Sequence, residues 1–92
     1  MSYIPTPQQA LDILKKYNQD PFHLRHGQIV SGVMGWFAQT YDPDRVDYWK
    51  TVGMLHDLDF ERWPEEHCVK GEELCREEDI DEGIMRSAMS HG

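Results

Sequence analysis

The sequence has no long apolar run, few basic residues and only two cysteines. No stretch approaches the roughly 18 apolar residues that a transmembrane helix needs, and the N-terminus carries no charged and then apolar leader. We therefore expect neither a membrane span nor a secretory signal. Nine basic and 17 acidic residues give a formal net charge of −8. This charge disfavours nucleic acid and anionic membranes as partners, because long-range electrostatics repel both.

The two cysteines are Cys68 and Cys75, seven residues apart. On a continuous helix this spacing separates the thiols by two turns, which is too far for a disulfide. We therefore expect two free thiols in the core. Their spacing is also not typical of a zinc site, which needs closer thiolates or thiolates paired with histidines. Free thiols favour a reducing, cytoplasmic location.

The apolar residues recur at helical spacing, and no alternating strand pattern is present. Thr6, Pro7 and Gln9 have the form of an N-cap, a first-turn proline and a reciprocal capping residue, which predicts a first helix from about Pro7 to Asn18. The other predicted helices run from Phe22 to about Thr40, from the cap at Asp42-Pro43-Asp44 to His56, from Trp63 to about Glu77, and onward from a cap at Asp79. We expect one all-α domain, residues 1–92.

The second and third predicted helices each carry an apolar stripe. His26 shares a face with the stripe of the second helix, and the stripe of the third helix ends at His56, which should therefore point inward. The residues of the two stripes are Ile29, Val30, Val33, Trp36 and Phe37, and then Val46, Trp49, Val52 and His56.

The dipeptide His56-Asp57 places an imidazole beside a carboxylate at the end of an apolar run. Such a pair can bind one divalent metal or bridge two. His26, His67 and His91 are further candidate ligands, and nitrogen and carboxylate ligands on separate helices are how a bundle builds a metal centre in its core. The sequence therefore predicts a metal centre.

Each candidate ligand also has a purely structural interpretation. A histidine on an apolar helical face, such as His26, is more often a hydrogen-bonded core residue than a ligand. His56 could interact with the dipole of a helix C-terminus, whereas Asp57 is unfavourable there and calls for a compensating cation. His67 could lie in a solvated acidic turn, and His91 in a frayed terminus.

Three nearby residues are assigned supporting roles. Asp59 and Glu61 follow the dipeptide and are candidates for orienting ligating imidazoles through hydrogen bonds, although exposed acidic residues are common. We interpret His23 as a surface or packing residue.

The context of these histidines resembles the HD-domain superfamily of metal-dependent phosphohydrolases. Small bacterial members have a helical segment of the form His-x-x-x-Val-x-x-Val-Met and a His-Asp doublet that follows Gly-x-Leu. Here residues 26–34 read HGQIVSGVM and residues 53–57 read GMLHD. The similarity runs roughly from Phe22 to Gly92. Family members are usually longer and carry a final metal-binding aspartate on a later helix, so the chain resembles the N-terminal portion of an HD domain.

The resemblance implies a helical bundle that holds one or two divalent transition metal ions. In that interpretation His26, His56 and Asp57 hold the first ion, and Asp57 bridges to a second ion held by His67 and His91. Imidazole and carboxylate ligands suit Mn, Fe, Co, Ni or Zn.

The implied activity is hydrolysis of a phosphoester of a small molecule or nucleotide by a metal-activated water, with Asp57 as the catalytic residue that orients it. Arg25, Arg62 and Lys70 are candidate phosphate contacts, although their spacing does not distinguish them and a solvated surface role is the commoner one for each. A minority of the superfamily uses a di-iron centre for oxygen-dependent cleavage of carbon-carbon or carbon-phosphorus bonds, and the sequence does not separate the two chemistries.

A catalytically silent helical module is the competing hypothesis. A shortened HD domain leaves an apolar face without its covering helices, and such a face favours self-association or docking on a protein partner. We expect a homo-oligomer under either hypothesis.

Overall fold

The computed structural model describes residues 2–89. This part of the chain contains five α-helices joined by loops and short 3-10 turns. They are α1 Pro7–Tyr17, α2 Pro21–Tyr41, α3 Val46–Leu55, α4 Val69–Glu77 and α5 Glu82–Met89, with 3-10 turns at Pro43–Arg45 and Pro64–Glu66. The described residues contain no strand, only an isolated parallel bridge between Tyr3 and Ile80. The prediction of an all-α fold is confirmed.

The helix starts follow local capping chemistry. Thr6 accepts a hydrogen bond from the Gln9 N–H, and the Gln9 side chain accepts one from the Thr6 N–H, which is the capping box expected for α1. The predicted cap of α5 at Asp79 is wrong. The backbone of Asp79 has a φ of 57°, and the Asp81 carboxylate accepts the N–H groups of Gly83 and Ile84 instead.

The fourth predicted helix begins later than expected, because the chain breaks at Cys68. Cys68 has a φ of 76°, which a continuous helix does not allow, and α4 starts at Val69. Cys68 and Cys75 therefore do not share a helix. Neither cysteine forms a disulfide within the described part of the chain, and Cys75 is buried whereas Cys68 is partly exposed.

The core lies between α1, α3, α4 and α5, with α3 at its centre. Every residue from Thr51 to Leu55 is buried. The radius of gyration is 12.0 Å, about the value expected for a compact chain of this length. The buried apolar side chains are Ala10, Ile13, Leu14, Val52, Met54, Leu55, Leu58, Leu74, Cys75, Ile80, Ile84, Met85 and Ala88.

Helix α2 packs on α3 through small residues. Its buried positions are Gly27, Ser31, Gly35 and Ala38. Ser31 lies against Gly53 of α3, where an added Cβ would be 2.9 Å from both Ser31 Cα and the Val30 carbonyl oxygen. Only glycine fits this crossing, and the two helix axes approach closely as a result.

The predicted apolar stripe of α2 lies mainly on the opposite, solvent-facing side. Ile29, Val33, Trp36 and Phe37 are all exposed, so the stripe adds little to the core. No helix within residues 2–89 has both the length and the apolar character needed to cross a bilayer.

Candidate metal centre

Three parts of the chain bring the candidate ligands together. His26 lies on α2, His56 is the C-cap residue of α3, and Asp57 follows it at the start of a loop. His67 lies in the turn before α4. The close crossing of α2 and α3 sets the imidazole rings of His26 and His56 5.2 Å apart, centroid to centroid.

The side chain of Asp57 is the point at which these imidazoles converge. Its Oδ2 lies 3.0 Å from His56 Nε2 and 3.4 Å from His26 Nε2, and its Oδ1 lies 3.2 Å from His67 Nε2. The ligand atoms of His26, His56 and Asp57 all lie within 4.8 Å of one another. His67 stands outside that group of three and approaches the other carboxylate oxygen. This is the arrangement in which one carboxylate can serve two neighbouring ions.

The separations fit a transition metal ion. Two ligand atoms that each lie about 2.1 Å from one ion, at octahedral or tetrahedral angles, are about 3.0 to 3.4 Å apart. The distances from Asp57 Oδ2 to His56 and His26 are 3.0 and 3.4 Å. The group therefore needs little rearrangement to surround an ion.

The other ring nitrogens are held by hydrogen bonds. His56 Nδ1 lies 2.7 Å from the Gly53 carbonyl oxygen, and His67 Nδ1 lies 2.5 Å from Asp59 Oδ1. Because both partners are acceptors, each Nδ1 donates the hydrogen bond, which leaves the Nε2 of each ring directed at Asp57. Lone pairs facing a carboxylate repel it unless a proton or a cation lies between them. Metal-ligating histidines in proteins are oriented in the same way.

The electrostatics of the centre favour a cation between these groups. Burial by itself lowers the pKa of His56, but its hydrogen bonds to Asp57 and to the Gly53 carbonyl outweigh burial and raise that pKa. Burial would raise the pKa of Asp57, yet the hydrogen bond from His56 and the charges of the three imidazoles hold it below its usual value.

Asp59 connects the centre to α4. Its side chain is fully buried, and besides His67 it accepts the N–H groups of Cys68 at 2.6 Å and Gly71 at 2.8 Å. The carboxylate thus orients a candidate ligand and also satisfies N–H groups at the start of α4. This is why α4 begins after Cys68, and it is the orienting role expected of Asp59.

Glu61 does not orient an imidazole. Its two oxygens accept the backbone N–H groups of Gln19 and Asp20, which lie between α1 and α2. Glu61 also falls within a second group of candidate ligand atoms with Asp20 and His23. Asp20 caps α2 through the Phe22 N–H, so the carboxylates of this group already have structural roles.

Two phenylalanine rings flank the centre. Phe22 is stacked on His26, and Phe60 meets His67 edge to face. Both phenylalanines are exposed. His23 packs between the Phe22 and Phe60 rings, in agreement with its interpretation as a packing residue.

The three expected phosphate contacts differ in their surroundings. Arg62 donates to the Lys16 carbonyl and lies over the Tyr17 ring. Lys70 pairs with Glu73 and lies over the Trp63 ring. Arg25 is exposed on α2, one residue before His26. Of the three, Arg25 is the one that is adjacent in sequence to a candidate ligand.

Sequence reasoning missed the roles of Gly71 and Asn18. The Gly71 N–H bonds Asp59, and an added Cβ there would lie 3.2 Å from Asp59 Oδ2. A glycine in the middle of an expected helix was the only signal in the sequence. Buried Asn18 donates to the carbonyls of Leu14 and Leu58 and so ties α1 to the loop of the centre. His91, the remaining predicted ligand, lies outside the described residues.

Comparison with known proteins adds no relative to this geometry. No protein-family model, curated protein or solved structure matches the chain. The interpretation of the centre therefore depends on its own atoms.

Proposed function

We propose that this protein is a metal-dependent phosphohydrolase of the HD type, which hydrolyses a phosphoester of a small molecule or nucleotide. The observation that carries the proposal is the convergence of His26, His56 and His67 on Asp57. The Nδ1 atoms of His56 and His67 each lie within hydrogen-bond distance of an acceptor, which leaves their Nε2 atoms toward Asp57. Nitrogen and carboxylate donors of this kind suit Mn, Fe, Co, Ni or Zn.

A bound ion of this class supplies a water that ionises near neutral pH and a Lewis acid for a phosphoryl oxygen. His26, His56 and Asp57 would hold it, and His67 with the second Asp57 oxygen would contribute to a second position. Asp57 would also accept a hydrogen bond from a water on the open side and so orient it.

The exposure of the ligands indicates where a substrate enters. The His26 side chain is 44% exposed and that of Asp57 is 26% exposed, whereas His56 and His67 are 18% and 17% exposed. We therefore expect substrate to approach on the side of His26, where the exposed Phe22 ring is stacked on that imidazole. Arg25, one residue before His26 on α2, is the candidate positive charge for an anionic phosphoryl group, which the net charge of −8 otherwise repels.

Metal content is the first test. The parent protein, His56→Ala and Asp57→Ala are purified, reconstituted with Mn, Fe or Zn, checked for helical content and analysed for bound metal. His23→Ala is the matched control, because it removes an α2 imidazole that contacts the flanking phenylalanine rings but lies outside the group of His26, His56 and Asp57. We expect near-stoichiometric metal in the parent and in the control, and its loss in the other two variants.

Activity is the second test. The metal-loaded protein is screened against phosphomonoesters, phosphodiesters and nucleotides, and we expect turnover that His56→Ala and Asp57→Ala both lose. Iron-dependent oxygen uptake without phosphoester turnover would instead select the di-iron oxygenase alternative. A folded parent that binds no metal after reconstitution would contradict the proposal and leave the silent helical module as the better account.

A further inference from the structure

A chain of aromatic rings runs along one side of the candidate metal centre. The ring centroid of Phe22 lies 6.4 Å from that of His26, and the centroid of Phe60 lies 5.5 Å from that of His67. His23 joins the two phenylalanines, at 5.6 Å from Phe22 and 6.0 Å from Phe60. All four distances fall in the range of roughly 4.5 to 7 Å that is typical of aromatic contacts. We call Phe22, His23 and Phe60 the aromatic rim, and each end of it contacts a candidate metal ligand.

Phe22 is the most open ring of the aromatic rim. Its exposed fraction is 71%, against 41% for Phe60, and it is not part of the apolar core. It is the second residue of α2, whose first turn has no acidic residue although the helix dipole favours one there. A phenylalanine at this position therefore adds little to the stability of the fold. Its open surface, next to a candidate ligand, is available to a bound molecule.

The Phe22 ring is parallel to the His26 imidazole. The angle between the two ring planes is 3°. The bonding direction of an imidazole Nε2 lies in the plane of its ring, so a group that His26 helps to hold lies near that plane. A flat group that extends from the centre in this plane is therefore nearly parallel to Phe22. A parallel, offset arrangement is one of the two that pairs of aromatic rings prefer.

The exposure of the candidate ligands distinguishes Phe22 from Phe60. The His26 side chain is 44% exposed, whereas that of His67 is 17% exposed. The organic part of a phosphoester held at the centre therefore has more room beside His26. Phe60 also meets His67 edge to face, at an angle of 88°, so its ring is not aligned with that imidazole. Of the two phenylalanines, Phe22 has both the open surface and the orientation for stacking.

We propose that Phe22 determines the substrate class of the centre: the organic group of the phosphoester contains a planar aromatic ring, which stacks on Phe22. This inference rests on the proposed phosphohydrolase function, because that function places the phosphoryl group beside His26. Aryl groups and nucleobases both supply such a ring. An aliphatic group of similar size occupies the same space but lacks the flat face that stacking needs.

Calorimetric titration of the metal-loaded parent with two phosphonates tests the stacking. Benzylphosphonate and cyclohexylmethylphosphonate carry the same anionic group and a six-membered ring at the same position, and neither can be hydrolysed. The saturated ring has the larger apolar surface, so burial alone favours the cyclohexyl compound. At a pH where both are dianions, we expect benzylphosphonate to bind roughly 2- to 12-fold more tightly, the factor that aromatic pairing contributes.

Three variants assign the preference to Phe22. Phe22→Leu should abolish the preference for benzylphosphonate, and Phe22→Trp should retain it because tryptophan also offers a flat face. Phe37→Leu is the matched control, since Phe37 is also exposed on α2. It lies about 16 Å beyond His26 along the helix axis, and its replacement should leave the preference unchanged. Helical content and bound metal are checked in each variant.

A second pair of phosphonates distinguishes a nucleobase from an aryl group. The 5′-phosphonate analogues of AMP and of ribose 5-phosphate differ only by the base. Tighter binding of the AMP analogue identifies a nucleobase as the stacked ring, whereas a preference confined to benzylphosphonate identifies a smaller aryl group. The absence of a preference in both pairs, or a preference that Phe22→Leu leaves intact, would overturn the proposal.

These measurements separate the stacking from the hydrolysis, because they record binding without turnover. A protein that hydrolyses phosphoesters but shows no preference in either pair would overturn the stacking alone. A protein that shows the preference, and loses it in Phe22→Leu, but hydrolyses no phosphoester would support the stacking and contradict the hydrolysis.

Discussion

Replacing Asp59 by asparagine should disable His67 as a ligand while leaving the fold in place. The amide oxygen can still accept the N–H groups of Cys68 and Gly71, which share Asp59 Oδ2. The amide NH2 then faces His67 Nδ1, where the Asp59 carboxylate oxygen lies at 2.5 Å. A donor at this position makes Nδ1 an acceptor and moves the imidazole proton to Nε2. The proton then occupies the nitrogen that faces Asp57.

The expected magnitudes follow from these contacts. Loss of an orienting partner typically lowers metal affinity 10- to 100-fold, about 1.4 to 2.7 kcal/mol. The two backbone hydrogen bonds change from charge-assisted to neutral, and each loses about 1 kcal/mol, so the free energy of unfolding should fall by about 2 kcal/mol. Asp59→Ala is the less informative variant, because it leaves these buried N–H groups without an acceptor.

Metal titration and NMR check the two halves of this prediction. Competitive titration with Zn or Mn measures affinity, and long-range proton-nitrogen correlation of the imidazole reports the tautomer of His67. Glu61→Gln is the matched control, because it makes the same chemical change two residues away at a carboxylate that accepts only backbone N–H groups. A folded Asp59→Asn protein with the parent affinity and the parent tautomer would refute the assignment of His67 as a ligand.

Two further predictions concern stability. Gly71→Ala should lower the free energy of unfolding by about 1 to 3 kcal/mol, although alanine normally favours a helix, because the new Cβ contacts Met89 and Asp59. Urea denaturation measures this change beside that of Gly32→Ala, whose added Cβ meets no described atom within 4 Å and should stabilise the protein. Stabilisation by Gly71→Ala would contradict the packing. Burial raises the pKa of Glu78, but hydrogen bonds from Lys16 and Tyr17 outweigh it and lower that pKa. The stability from a lowered carboxyl pKa is present above the unfolded-state pKa and is lost as pH falls through the folded-state value. Glu78→Gln should therefore lower the free energy of unfolding by about 1 kcal/mol at pH 7, and should not lower it at an acidic pH where the carboxyl is protonated in both the folded and the unfolded state. An equal loss at the two pH values would count against the ion pair.

Local chemistry made the helices and their starts predictable. The capping box at Thr6 and Gln9 and the prolines at Pro7 and Pro21 act within a few residues, so the sequence alone locates the starts of α1 and α2. The start of α4 was not predictable in this way. It depends on Asp59, which lies nine residues before Cys68 and reaches it only through a folded loop.

The candidate ligands show the same division. His56 and Asp57 are consecutive in the sequence, and helical periodicity predicted that His56 points inward. The approach of His26 and His67 to the same carboxylate requires the crossing of α2 over α3 and the turn before α4. The sequence offered both Asp59 and Glu61 as orienting carboxylates, and only the fold distinguished them, because Asp59 reaches His67 whereas Glu61 accepts backbone N–H groups between α1 and α2.

The apolar periodicity of α2 shows why sequence alone stops short. Its pattern was correctly helical, but both of its faces are compatible with packing, one through small residues and one through large ones. In the folded chain the small residues of α2 are buried and Trp36 and its neighbours are exposed. Gly53 of α3 has no side chain, so the α2 backbone at Val30 and Ser31 packs directly against it. The small residues are Gly27, Ser31, Gly35 and Ala38. The sequence determined the helices and the ligand types, since both follow from contacts a few residues apart. Which face is buried, and which side chains meet, depended on contacts between segments that only the folded chain brings together.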